Sequence, residues 1–403
     1  MSAAPGTVAF WGNFGTLNLG NECTLAAAIA NVHAQLPQAR LLCVCCEPQD
    51  AAARHHIAAV AMAAPAGIPG AGGRLLRIAR RLRRELRDWR AALRVAANID
   101  ALLVTGTGIL TDTGEGALGL PYQLFKWCLC TRLRGGRVLF ISVGAEAIRQ
   151  PLTRFLLKRA LRLAAYRSYR DSHSVARLRA SGIPTEGDAV VPDLAFSLPP
   201  QAVVPPRAAP APVAVGLFNY RGRGQGGAAE AAAYQGYVEV ITALIAALLT
   251  QGHAVRVIIG DLAYDAAVLE DVRARLAARG LAPGSSALED APAMSWEELL
   301  TQLDGVDFVI ASRFHNVLLA LLLGKPVVSV SYEAKNDALM QQMGLERFCQ
   351  TLDAADLQRL LLQFRELQQD AAALRATLAQ RAAANRAQLD RQYEAIAALL
   401  SAR

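Results

Sequence analysis

Short apolar runs alternate with helix-patterned stretches almost from one end of this chain to the other, and that alternation admits few folds. It is the signature of βαβ units, whose parallel strands are covered by helices on both faces. In the first half the pattern predicts strands near Thr7 to Gly12, Arg40 to Cys46, Ala101 to Thr105, Arg137 to Val143 and Tyr166 to Arg170. From Leu198 to Pro212 it breaks into LPPQAVVPPRAAPAP. Prolines remove backbone donors and favour extended polyproline, so an interdomain linker is expected over 199–212. A second run then predicts strands at Val213 to Phe218, Ala254 to Gly260, Asp307 to Ala311 and Pro326 to Ser331. Helices are expected near Ala231 to Gln251, Asp265 to Arg279 and Phe314 to Leu323. The chain therefore reads as α/β, with one Rossmann-like domain over 1–198, a second over 213–353 and a cleft between them. A tail over 354–403, rich in Ala, Leu, Arg and Gln and without Pro or Gly, is expected to be helical. Ligands of such sheets bind at the carboxyl ends of the strands.

Length and composition agree. A chain of 403 residues that is 53% hydrophobic is long enough for two cores. Its longest uninterrupted apolar runs, such as Val317 to Leu323, fall short of the roughly 20 residues a bilayer span requires. The first residues show no basic segment followed by an apolar stretch and cleavage site, so the cytoplasm is the expected location. Seven cysteines, three of them crowded at Cys43, Cys45 and Cys46, suit neither a disulfide framework nor a zinc spacing and read as reduced core thiols. No metal is expected. The net charge of +8 is concentrated between Arg74 and Arg94, where nine arginines face only Glu85 and Asp88. One helix carries the basic character, which argues against a general nucleic-acid surface.

The densest candidate for chemistry is Ser312-Arg313-Phe314-His315, directly after the apolar run VDFVI and at the start of the helical NVLLALLLG. A strand-to-helix turn aims side chains and free helix amides into a cleft, where an arginine and a histidine can meet a phosphate or carboxylate. The bland alternative is a capped helix with an incidental histidine. Further on, Tyr332 and Lys335 again follow a strand and open a helix, and are expected to face the same opening.

The set Ser312, Arg313, His315, Ala320, Gly324, Pro326, Tyr332, Lys335 and Gly344 resembles the signature of the polysaccharide pyruvyl transferases. Supporting matches are Asn18-Leu19-Gly20-Asn21-Glu22, Thr105-Gly106-Thr107-Gly108, Arg170-Asp171-Ser172 and Pro192-Asp193. The family usually has Asp where this chain has Asn21, and three glycines where it has Thr105, Gly106 and Thr107. The resemblance implies a GT-B-like pair of domains, no cofactor, phosphoenolpyruvate as donor, and a sugar or lipid-linked oligosaccharide of a surface exopolysaccharide as acceptor. The product would be a cyclic ketal. In that chemistry His315, with an imidazole reference pKa of about 6.5, is the candidate general acid/base. Arg313 and Arg170 suit the carboxylate and phosphate of the donor, because a guanidinium fork binds either with two hydrogen bonds. Lys335 would hold the departing phosphate, with Ser312 and Tyr332 completing the donor site. Asn18, Gly20, Asn21, Gly106 and Gly108 are the acceptor-side candidates.

Two further segments leave alternatives open. Gly222-Arg223-Gly224-Gln225-Gly226-Gly227 formally satisfies a dinucleotide fingerprint, but the acidic residue that should follow is misplaced, so a loop with Arg221 or Arg223 near an anion competes with a solvated loop. In the arginine-rich segment Leu75, Ile78, Leu82, Leu86, Trp89 and Leu93 recur every three or four residues. Such a helix either packs its leucines on the sheet or lies on anionic lipid, a peripheral contact at the inner face of the membrane. The rival functions are a glycosyltransferase using a nucleotide sugar and a non-catalytic protein that binds a membrane surface.

Overall fold

The computed structural model describes residues 6–64, 74–112, 116–199, 211–221, 227–281 and 287–402. Most of the expected linker and residues 222–226 of the glycine-rich loop, Arg223 among them, lie outside the described residues. The chain divides into two units, Met1–Thr16, Thr24–Ser197 and Gln388–Arg403 in one, Leu17–Cys23 and Leu198–Ala387 in the other.

The first unit alternates strand and helix: β1 (Thr7–Trp11), α1 (Leu19–Gln35, its first turn grouped with the second unit), β2 (Arg40–Cys45), α2 (Pro48–His55), β3 (Ala58–Ala61), α3 (Arg74–Ala96), β4 (Ala101–Thr105), α4 (Leu120–Leu133), β5 (Arg137–Val143), α5 (Pro151–Arg162), β6 (Tyr166–Tyr169), α6 (Ser172–Ala180) and β7 (Ala189–Val190). All strand pairs are parallel and the order is β3-β2-β1-β4-β5-β6-β7. Strand order reverses between β1 and β4. Every residue of β4 is buried, as expected where helices cover both faces. Prolines in the first turn start α2, α4 and α5, where the missing N–H costs nothing.

The second unit repeats the plan with β8 (Val213–Gly216), α7 (Gly227–Thr250), β9 (Val255–Ile258), α8 (Ala266–Ala278), β10 (Leu288–Glu289), α9 (Trp296–Asp304), β11 (Phe308–Ala311), α10 (Phe314–Leu322), β12 (Val327–Ser331), α11 (Ala334–Gln342) and β13 (Cys349–Thr351). Its parallel order is β10-β9-β8-β11-β12-β13, reversing between β8 and β11. Strands β8 and β9 are shorter than their apolar runs. Phe218 and Gly260 therefore lie past the strand ends, at the carboxyl edge. Among the described residues, α7 is the one helix long and apolar enough to cross a membrane. Here it packs on α8 and α12, and the hydroxyl of its buried Tyr237 is 3.1 Å from Ser312 Oγ, which makes it a core helix of this unit.

The tail forms α12 (Leu357–Gln369) and α13 (Ala371–Ser401). The expected domain limits shift in two places. The last residues, from Gln388, group with the first unit, because Leu389, Tyr393 and Ile396 are buried and Gln392 bonds Ser168, Tyr166 and Ser142 near β5 and β6. Leu17–Cys23 groups with the second unit, because the Leu19 N–H donates to Gly260 O and the Leu262 N–H to Leu17 O. Among the described residues no disulfide joins any of the seven cysteines.

Candidate active site

In the second unit the side chains of interest gather at the carboxyl ends of β8, β9, β11 and β12, around the point where strand order reverses. Arg313 is the N-cap residue of α10 and is 6% exposed. Its Nε and Nη2 each donate to one carboxylate oxygen of fully buried Asp265, both at 2.6 Å, and Nη1 lies 3.6 Å from Asp261 Oδ2. The guanidinium carbon sits 5.1 Å from the centre of the Phe218 ring, which stacks on Tyr332 at 3.8 Å. Burial works against the Arg313 charge, but the Asp265 carboxylate outweighs it and holds the pKa above the usual arginine value. Burial also raises Asp261 despite the opposing pull of Arg313. Asp265 additionally accepts from the backbone N–H of Asn219, Gly260 and Asp261, so it ties the ends of β8 and β9 to the arginine.

His315 lies two residues further, within the first turn of α10. Gly20 approaches it so closely that a methyl on Gly20 would lie 2.1 Å from Nδ1. Asn18 donates to Asp261 Oδ2 at 3.0 Å and accepts the Asn21 N–H on Oδ1. The segment expected on the acceptor side thus lines the arginine and histidine of the second unit. Gly260 and Gly216 leave room for Arg313 and Asn316: a methyl on Gly260 would lie 2.6 Å from Arg313 Cδ and 2.6 Å from Asn316 Oδ1. Asn316 is fully buried, and its amide has no hydrogen-bond partner among the described residues. Ser312 is buried between the Tyr237 hydroxyl and Asn336, whose amide donates to the Ser312 carbonyl at 2.8 Å. Lys335 pairs with Glu333, its Nζ 5.6 Å from the Tyr332 ring centre. Arg221 is turned to α8, bonded to Asp271 at 3.0 Å.

The first unit holds a second buried arginine, clasped by two carboxylates. Arg170 is 5% exposed, with Nε 3.3 Å from Asp171 and Nη1 3.5 Å from buried Asp193. Its guanidinium lies on Gly144, where a methyl would fall 2.7 Å from Cζ, and beside Gly108. Asp171 also caps α6 by accepting the Ser174 N–H. Burial raises the Asp193 pKa and Arg170 opposes it. Gly106 is packed against Ser142 O and Leu194, a backbone role, whereas Thr105 and Thr107 bury hydroxyls with no partner among the described residues. Asp261, Asp265, Phe218 and Tyr237 escaped the sequence reading. The available signal was Gly260-Asp261 at a strand end with Asp265 before the next helix. No group of three His, Cys, Asp or Glu side chains among the described residues is placed to hold a metal.

Two doubly wound parallel sheets, each with charged side chains at its carboxyl edge, define a two-domain α/β protein of the GT-B-like class. Similar solved structures share that fold across nearly the whole length. A glycosyltransferase of Rickettsia africae has a TM-score of 0.59 at 10% identity, over 99% of both chains. A UDP-glucosyltransferase of Polygonum tinctorium has 0.58 at 12% identity, over 100% of both. The UDP-GlcNAc 2-epimerase of Neisseria meningitidis has 0.56 at 11%, over 93% of this chain and 94% of that one. No curated protein matches. The sequence model of the polysaccharide pyruvyl transferase family matches residues 18–334, and the chain belongs to that family. It is a transferase of polysaccharide biosynthesis.

Proposed function

We propose that this transferase moves pyruvate from phosphoenolpyruvate to a sugar of a surface-polysaccharide precursor, closing a cyclic ketal. The supporting observation is His315 held against Gly20 beside the clamped Arg313, at the carboxyl edge where strand order reverses between β8 and β11. Ketal formation asks for little else. A proton from His315 adds to the methylene carbon of the enol phosphate and leaves positive charge on the neighbouring carbon. One acceptor hydroxyl bonds there and returns its proton to His315. Phosphate leaves with the electrons of its C–O bond, and a second hydroxyl bonds in its place, its proton passing to the departing phosphate. Asp265 takes Nε and Nη2 of Arg313 and Asp261 stands 3.6 Å from Nη1, so a donor anion would have to share Nη1 with Asp261. Lys335 supplies further positive charge for carboxylate and phosphate. The acceptor is a sugar carried on a membrane lipid, and the enzyme works in the cytoplasm, peripheral to the inner face of the membrane.

The test is incubation with phosphoenolpyruvate and a panel of lipid-linked sugars, read by mass. A gain of one pyruvyl ketal supports the proposal. The named activities of the similar solved structures favour a nucleotide-sugar glycosyltransferase as the second reading. Calorimetry with phosphoenolpyruvate, UDP and GDP separates the two, and heat released only by a nucleotide would overturn the first.

A further inference from the structure

Helix α3 is only half used by the fold. Toward its C-terminal end Ala92 and Ala96 are buried, and Trp89 and Leu93 pack on the core of the first unit. Toward its N-terminal end the same apolar stripe continues into solvent, with Ile78, Leu82 and Leu86 exposed at 47%, 60% and 56%. Exposed leucines at helical spacing cost solubility unless something covers them. The two acids of the helix point inward: Tyr122 donates to Glu85, and Asp88, 8% exposed, accepts the Ala64 N–H. Outside the packed face, the described part of α3 therefore carries arginines and apolar side chains with no acid of its own.

Neighbouring helices extend this surface. α3 packs on α4, and α4 on α5. Neither α4 nor α5 contains a single Asp or Glu, and α5 carries Arg154, Lys158, Arg159 and Arg162. Leu152 and Phe155 on α5 are exposed, and the Arg159 guanidinium stands 5.1 Å from the Phe155 ring centre. Between α3 and α4 lies a cavity of about 410 Å³ walled by Ile78, Leu82, Leu118 and Tyr122, with Arg81 and Arg84 but also Glu85 and Asp88 in its lining, so the cationic surface is carried by the exposed arginines outside it. Apolar side chains set among guanidinium groups are what a bilayer with anionic headgroups selects, since the charges meet phosphates while the apolar tips enter the acyl boundary.

We propose that α3, α4 and α5 of the first unit form a docking surface for an anionic phospholipid bilayer. The inference deepens the reading of a lipid-carried acceptor by naming the face and the lipid chemistry. Its test is sedimentation of the full chain with vesicles of phosphatidylcholine, with and without phosphatidylglycerol, in low and high salt. Binding to the mixed vesicles only, weakened by salt, is expected. Replacing the exposed Arg77, Arg83, Arg87 and Arg90 together by Gln should lower the partition more than about a hundredfold. The pair L82S/F155S, which changes only exposed side chains, should lower it about tenfold with all charges kept. No sedimentation with anionic vesicles, or sedimentation indifferent to both sets of substitutions, overturns the surface. So does a soluble polyanion such as polyglutamate or RNA binding wild type and L82S/F155S alike and more tightly than vesicles. A chain that sediments but never forms a ketal sinks the reaction and spares the surface. One that forms a ketal and ignores vesicles does the reverse.

Discussion

At the scale of single residues, the second unit spends two buried carboxylates on one arginine. Asp265 is fully buried and satisfies Nε and Nη2 of Arg313 together. Asp265→Asn keeps the volume but leaves the guanidinium without its charge partner, which should cost about 3–5 kcal/mol of stability, read by chemical denaturation. Arg313→Lys keeps the charge and loses the forked contact, so activity should fall by about a hundredfold or more even where the fold survives. Gly20 makes a sharper probe. Its Cα faces the imidazole of His315, and Gly20→Ala would place a methyl 2.1 Å from Nδ1, so the ring must move. A displacement of about 1 Å at a reacting group costs on the order of a hundredfold in rate. The expected outcome is a loss in kcat with circular dichroism unchanged; wild-type kcat in Gly20→Ala would remove His315 from the reaction.

Among the elements, α4 carries a strain that pH should reveal. Lys126 is fully buried, its Nζ has no hydrogen-bond partner among the described residues, and it lies 5.8 Å from the centre of the Tyr122 ring. Burial lowers its pKa, with the Asp88 and Glu85 charges opposing. Because the folded state binds this proton less tightly than the unfolded chain, stability should rise as pH climbs from the lowered value toward the ordinary lysine range. Lys126→Met should accordingly raise the melting temperature at pH 7, by the equivalent of about 1–2 kcal/mol. The gain should shrink near pH 10; a gain that is absent at pH 7 or constant with pH would contradict this account. Much of the element order was legible in the sequence, because mostly apolar runs such as Ala101–Thr105 and Arg137–Val143 are long enough to announce themselves. The strands that went unread, β3, β7, β10 and β13, are edge pieces of two to four residues built from Ala, Leu, Glu, Cys, Gln, Thr and a few valines. Their pairing is fixed by the neighbouring strand rather than by their own composition. The Arg313-Phe314-His315 turn was legible for the same reason as its strand. The contacts of Asn18 and Gly20 with Asp261 and His315 were not, since they join segments more than about two hundred residues apart and leave no local pattern.

For the whole molecule, each unit has its own sheet and its own buried polar clasp, so damage to one clasp should be felt in one sheet. In the first unit the clasp is Gln392 of α13: its amide oxygen takes the hydroxyls of Ser168 and Tyr166, and its nitrogen donates to Ser142. Ser142 is itself a non-glycine residue at φ 49°, inside the register shift between β5 and β6, so the clasp sits at an irregularity of the ladder. Gln392→Ala strips a partner from three hydroxyls at once and leaves a cavity, a loss of about 2–4 kcal/mol. In the second unit the Asp265–Arg313 pair has the corresponding place. Amide hydrogen exchange distinguishes the two, because local opening is reported strand by strand. Gln392→Ala should speed exchange in β5 and β6 and leave β11 and β12 as in the wild type, and Asp265→Asn should do the opposite. Equal acceleration of both sheets by either substitution would mean that the chain opens as one cooperative body, and the division at Ser197 and Gln388 would then carry no energetic meaning.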